Sequence, residues 1–447
     1  MNMPFKAPTT ARLRTPARPP FECIALLLQG GGALGAYQGG VYEALAEAGL
    51  HPDWVAGISI GAINAALIAG NAPEARVEKL RRFWETVTAD PVASTIFGLA
   101  EAETSLLDAA ADAAANGFAA PLAFAGVPLR GDAAEAWRGA IRSAFSSFAA
   151  LQPPVGLGGD MARKWANHWE AATALFHGAP GLFAPRPLHP FLQPAGTPGA
   201  TSFYDTAALK QTLERLVDFD RINAGEMRFS VGAVNVATGN FVYFDNRTHE
   251  IRPEHVMASG ALPPGFPAVE IDGEHYWDGG IVSNTPLQWV LECEDRQDTL
   301  AFQVDLWSAR GAVPRTLLEA VTRQKEIQYS SRTRANSDQF KLQQRLRSAL
   351  ADLMAKLPEN LRDTPEVALL QPEADRAVYN VIQLIYRSKH YEGDSKDFEF
   401  SQRSMEDHWT AGRSDTVRTL RHPEVLERPS GPDGVFTFDI AEHGRLS

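Results

Sequence analysis

The stretch CIALLLQGGGALGAYQGGVYEALAEAGLHPDWVAGISIGAINAALIAG, Cys23 to Gly70, decides the fold. It opens with Ile24-Ala25-Leu26-Leu27-Leu28, a continuous apolar run that ends at glycines. A run without polar alternation suits a strand buried on both faces, as strands of parallel sheets are. The period then changes. From Tyr37 to Ala48, the residues Val41, Leu45 and Ala48 fall on one helical face, and Gly49 supplies the stop. Trp54 to Ile58 reads as a second short strand, and Ala62 to Ala69 as a second helix closed by Gly70. Strand, helix, strand and helix in so short a span predict a parallel α/β layer.

Working outward, both strand-to-helix junctions are rich in glycine. Parallel sheets place their ligand sites at such strand ends. Gly57-Ile58-Ser59-Ile60-Gly61 fits a nucleophile elbow, in which small neighbours let the backbone fold tightly around an exposed serine. The following helix points its positive end at Ser59 and favours negative charge there. A plain tight turn is the alternative. The loop Gly30-Gly31-Gly32-Ala33-Leu34-Gly35 has three readings. It could be an oxyanion hole of bare N–H groups, a dinucleotide fingerprint, or a structural turn. The dinucleotide reading needs an acid at the end of strand two, where this chain has Ile58-Ser59, and Asp53 precedes that strand. A serine nucleophile also needs a base. Asp278 is the candidate, at the end of a strand running to Trp277 and followed by Gly279 and Gly280, although Asp-Gly is also a common turn former.

The rest of the chain bounds these readings. Its 447 residues amount to about two to three domains. With 45% hydrophobic and 21% charged residues it is ordinary globular material, which excludes a fibre, a disulfide scaffold or wholesale disorder. A net charge of −12 argues against a nucleic-acid partner. Two distant cysteines, Cys23 and Cys293, make no disulfide framework and point to a reducing, cytoplasmic setting. No stretch approaches the ~20 apolar residues of a membrane span, so any lipid contact is expected to be peripheral. Residues 1–20 read as a flexible tail, 90–200 as a helical insertion or cap, and 311–447 as a mostly helical extension. Within the insertion, Ala100–Asn116, Ala134–Leu151 and Met161–His177 have helical character. Strand signals return at Met227–Val236, Asn240–Phe244, Val269–Trp277 and Thr299–Leu306, with Asp272-Gly273 turning a hairpin inside the third. Helices are expected over Arg315–Leu357 and Ser401–Leu420, and a strand over Ala377–Tyr386. His390, His408 and His422 follow Asp278 and could complete a triad, but read as surface residues. No helical His-x-x-x-His pair occurs, so no metal site is predicted.

Gly-Gly-Gly-Ala-Leu-Gly-Ala-Tyr, Gly-Ile-Ser-Ile-Gly-Ala and Asp-Gly-Gly, in this order, make the chain from Ile24 to Ser308 resemble the patatin-like phospholipase family. The resemblance implies a three-layer α/β/α sandwich with a mainly parallel sheet, carrying here a helical insertion and a C-terminal extension like that of a bacterial subgroup. It implies a Ser–Asp dyad without catalytic metal or organic cofactor, with Ser59 as nucleophile, Asp278 as general base and the Gly30 to Gly35 loop as oxyanion hole. The substrates it implies are acyl esters of glycerolipids. One departure stands out, because the family loop usually carries Arg or Lys where this chain has Leu34. An acyltransferase working through the same acyl-enzyme, or a catalytically idle lipid-binding protein, would use the same motifs. Acyl-carrier-protein transferases share the elbow but usually place His before the serine, where Ile58 stands here.

Overall fold

In the computed structural model the described residues are 18–89, 159–291, 293, 296–389, 392–429 and 434–439. The helices expected at 100–116 and 134–151 lie outside them, as do most of the N-terminal tail and His390. Arg18, near the start of the described chain, is ion-paired to Asp53.

The strands are β1 (Cys23–Leu28), β2 (Trp54–Gly57), β3 (Ala184–Pro185), β4 (Tyr204–Asp205), β5 (Arg228–Asn235), β6 (Phe241–Asp245), β7 (Val269–Ile271), β8 (Glu274–Asp278), β9 (Thr299–Asp305), β10 (Tyr379–Ile385) and β11 (Val435–Phe438). The main helices are α1 (Ala36–Glu47), α2 (Ile60–Ala69), α3 (Arg76–Val87), α4 (Gly159–His177), α5 (Ala207–Leu216), α6 (Pro253–Ser259), α7 (Leu287–Leu291), α8 (Leu317–Ala355) and α9 (Gln402–Thr419). One sheet runs in the order β11-β10-β9-β1-β2-β5-β8-β7, with β6 also on β5. The strands from β11 to β5 are mutually parallel, and β6, β7 and β8 form its antiparallel edge. The hairpin turns where expected, with both Asp272 and Gly273 at positive φ.

β1 is buried along its whole length because it lies mid-sheet with helices on both faces. Successive residues point to opposite sides. Ile24, Leu26 and Leu28 join a core with residues of α1, α2, α3 and α9. Cys23, Ala25 and Leu27 join another, with α7 and Phe340 of α8. That is the three-layer α/β/α sandwich. Fully burying a leucine contributes about 1.5–3 kcal/mol, and Leu26, Leu27 and Leu28 are all completely enclosed.

The extension past residue 310 is not a separate layer. β10 pairs with β9 along seven residues, Tyr379↔Thr299 to Ile385↔Asp305, and α9 packs on α1. One reading is corrected, since His408 is buried rather than on the surface. Residues 178–201 hold β3 and short 3-10 turns. Among the described residues no helix is long and apolar enough to cross a membrane.

Candidate active site

β2 ends at Gly57, opposite Val231 of β5, and α2 begins at Ile60. Ser59 makes the turn between them with φ 56° and ψ −123°, in the left-handed region that a non-glycine residue rarely enters. The elbow is tight enough to need both of its glycines. A Cβ on Gly57 would overlap the Gly61 carbonyl, and one on Gly61 would overlap the Leu28 carbonyl at the end of β1. The strained residue is tethered. Its N–H donates to Ser259 Oγ at 3.0 Å, and Ser259 Oγ donates to the Gly232 carbonyl at 2.7 Å.

Asp278 reaches Ser59 through strand geometry. β6 occupies one side of β5 as far as Val234, and β2 occupies the other up to Val231. β8 therefore pairs on the side that β2 has vacated, and places Asp278 opposite Ala233 beside the elbow. Gly279 packs against Gly232, and Gly280 donates its N–H to Asp278 Oδ1 at 2.7 Å. The Asp278 carboxyl is 2% exposed and faces the Ser59 hydroxyl, with both residues lining one cavity. Burial pushes it up to about 6, while the Ser59 hydroxyl and the Gly280 N–H act in the opposite direction.

The glycine loop forms the adjoining wall. Gly30, Gly31 and Gly32 line the cavity that contains Ser59 and Asp278. Gly35 lies behind it, close against Ile60 and Trp84. The Gly30 carbonyl accepts from Asn284 Nδ2 and Trp307 Nε1, each at 3.0 Å, and the Gly30 N–H is directed at the Asn284 carbonyl, 3.4 Å away. Ala33 donates to the Asp397 carbonyl at 2.8 Å. The N–H groups of Gly31 and Gly32 have no acceptor among the described residues. Gly32 is at φ 57°, and a Cβ there would overlap the Asp397 carbonyl. Leu34, at the departure from the family pattern, is fully buried in the core and does not line the cavity.

The cavity measures ≈ 360 Å³ and its walls are largely hydrocarbon, among them Leu175, Leu182, Phe183, Met257, Phe266 and Phe400. It suits an acyl chain, being walled mainly by hydrocarbon. Sequence reasoning missed several participants. Asn284, just before α7, fixes the loop with its amide. Ser259 left no signal. Tyr329, Asp397, Phe398 and Phe400 lie in the extension and line the cavity. His51 and His275 do not line it. His408 is driven down to about 4 chiefly by burial, while His422 lies 3.2 Å from Glu424. Neither borders the cavity. The dinucleotide reading fails on position, since Asp53 sits at the start of β2, away from the loop, and is engaged by Arg18.

A family model described as patatin-like phospholipase matches residues 26–291, and a second, described as patatin phospholipase, matches residues 327–431. The chain belongs to this family. It is accordingly a lipid hydrolase with a patatin-like α/β fold. No curated protein matches the chain. Among solved structures it is similar to VipD from Legionella pneumophila, at 15% identity and a TM-score of 0.36, covering 95% of this chain and 73% of that one. It is also similar to the complex of full-length SpcU with full-length ExoU from the type III secretion system of Pseudomonas aeruginosa. There the identity is 18% and the TM-score 0.23, covering 70% of this chain and half of the other.

Proposed function

We propose that this patatin-like enzyme cleaves carboxylic esters of lipids through an acyl-enzyme, with Ser59 as nucleophile and Asp278 as general base. The observation carrying this reading is that Ser59 and the buried Asp278 carboxyl meet at the wall of one apolar cavity, where the serine hydroxyl acts on the carboxyl. Ionised Asp278 takes the Ser59 proton as Oγ attacks the ester carbonyl. The developing oxyanion meets the unengaged N–H groups of Gly31 and Gly32, while α2 directs its N-terminus at the same place. The alcohol leaves with the proton held by Asp278. Water then attacks the acyl-enzyme, giving a proton to Asp278; the Oγ–acyl bond breaks, Ser59 Oγ takes that proton back, and the fatty acid is released.

Removing the nucleophile should cost more than removing one oxyanion donor, which costs roughly 3–4 kcal/mol of barrier. Ser59→Ala is expected to abolish turnover of a p-nitrophenyl acyl ester while circular dichroism shows an intact fold. A folded Ser59→Ala protein that keeps its activity rejects the assignment.

A further inference from the structure

Between β3 and β4 the chain leaves the body of the protein in an unusual way. From Pro187 to Phe203 its single ionisable side chain is His189, in a protein where 21% of residues are charged. Burial lowers the His189 pKa, so it is neutral at pH 7. Arg186, just before the excursion, is largely covered and paired with Asp205 at 3.2 Å. The excursion nevertheless presents Phe191 and Leu192 to solvent at 64% and 70% exposure, with Leu188 and Phe203 also exposed.

These side chains adjoin the cavity mouth. His189 contacts the rings of Phe191 and Phe203, and the Phe203 N–H donates to the carbonyl of Pro264, a cavity-lining residue. Leu175 and Leu262 belong to both surfaces, being exposed and lining the cavity. A contiguous apolar surface of this kind marks an interaction site.

We propose that this surface docks onto an uncharged lipid bilayer and opens the acyl cavity directly onto it. The inference rests on reading the cavity as the ester site. A bilayer is the occupant that fits, because a protein seated here would stop up the mouth, whereas a membrane presents acyl chains to it. The chemistry is that of neutral lipid. The excursion carries no cation to seek an anionic leaflet, and a protein of net charge −12 is repelled by one.

The test is flotation with phosphatidylcholine vesicles, using wild type, Ser59→Ala and a Phe191→Asp/Leu192→Asp double variant. Neither substituted apolar residue lines the cavity. Wild type and Ser59→Ala are expected to float equally. The double variant should partition at least ~10-fold less, since two exposed apolar side chains lose their transfer into hydrocarbon. Its turnover of a monomeric p-nitrophenyl ester should stay within about twofold of wild type, while its hydrolysis of vesicle lipid falls in step with binding. Phe191→Ser/Leu192→Ser should show the same separation without added charge. A double variant that floats like wild type overturns the proposal, as does wild type that fails to float or needs anionic lipid to do so. If Ser59→Ala retains activity, the catalytic reading falls, and the flotation comparison still decides the docking.

Discussion

Ser59 and Asp278 are each held in a state that costs stability. A non-glycine residue at φ 56° carries strain of about 1–3 kcal/mol. A buried carboxylate raised from 3.8 to about 6 opposes folding whenever it is ionised, by on the order of 3 kcal/mol. Because the folded pKa exceeds the unfolded one, the favourable linkage is complete below about 3.8 and lost as pH rises through about 6. Asp278→Asn stays neutral throughout. It should therefore melt at a higher temperature than wild type at pH 8, with the advantage gone below about pH 4. The proposed mechanism needs Asp278 ionised, so kcat/KM should fall as pH drops through about 6. An Asp278→Asn protein of unchanged melting temperature at both pH values would show that the carboxylate is not destabilised by its surroundings.

At the scale of elements, the joint between α1 and α9 ties the extension to the motif-bearing core. Trp409 of α9 lies over Gly39 and Gly40 of α1, donates to Glu43 at 2.7 Å and stacks under Arg81. Gly412 approaches the Tyr37 carbonyl equally closely. Helix propensity alone makes Gly40→Ala stabilising by about 1 kcal/mol. The added methyl would overlap the Trp409 carbonyl, however, and backbone against backbone cannot yield without moving a helix. Overlap should win, and Gly40→Ala is expected to lose about 1–3 kcal/mol in urea denaturation. Net stabilisation would show that the helices are not in this register. Local pattern made β1, β2, α1, the β7–β8 hairpin and the long α8 legible in the sequence, since each is encoded by period and turn chemistry. The joint was not, because a glycine on a helix face gives no sign of which distant element it admits.

The whole molecule shows why the site was legible only in part. Ser59, Asp278 and the glycine loop each lie at a strand end and carry a motif, so order along the chain singled them out as candidates. Their supports carry no motif. The Asp397 carbonyl accepts from the Ala33 N–H, and β10 extends the sheet that bears the elbow. Leu34 is buried in the core, and the loop is held from both sides, by Asn284 and Trp307 before the extension and by Asp397 within it. Parallel pairing between residues some eighty positions apart, as between Thr299 and Tyr379, depends on partners that no local window contains. The central claim is that Ser59 is the activated nucleophile, and a fluorophosphonate probe followed by peptide mapping tests it most directly. The account predicts one adduct, on Ser59, formed rapidly in wild type and much more slowly in Asp278→Asn. An adduct on another residue, or equal labelling rates in the two proteins, would contradict it.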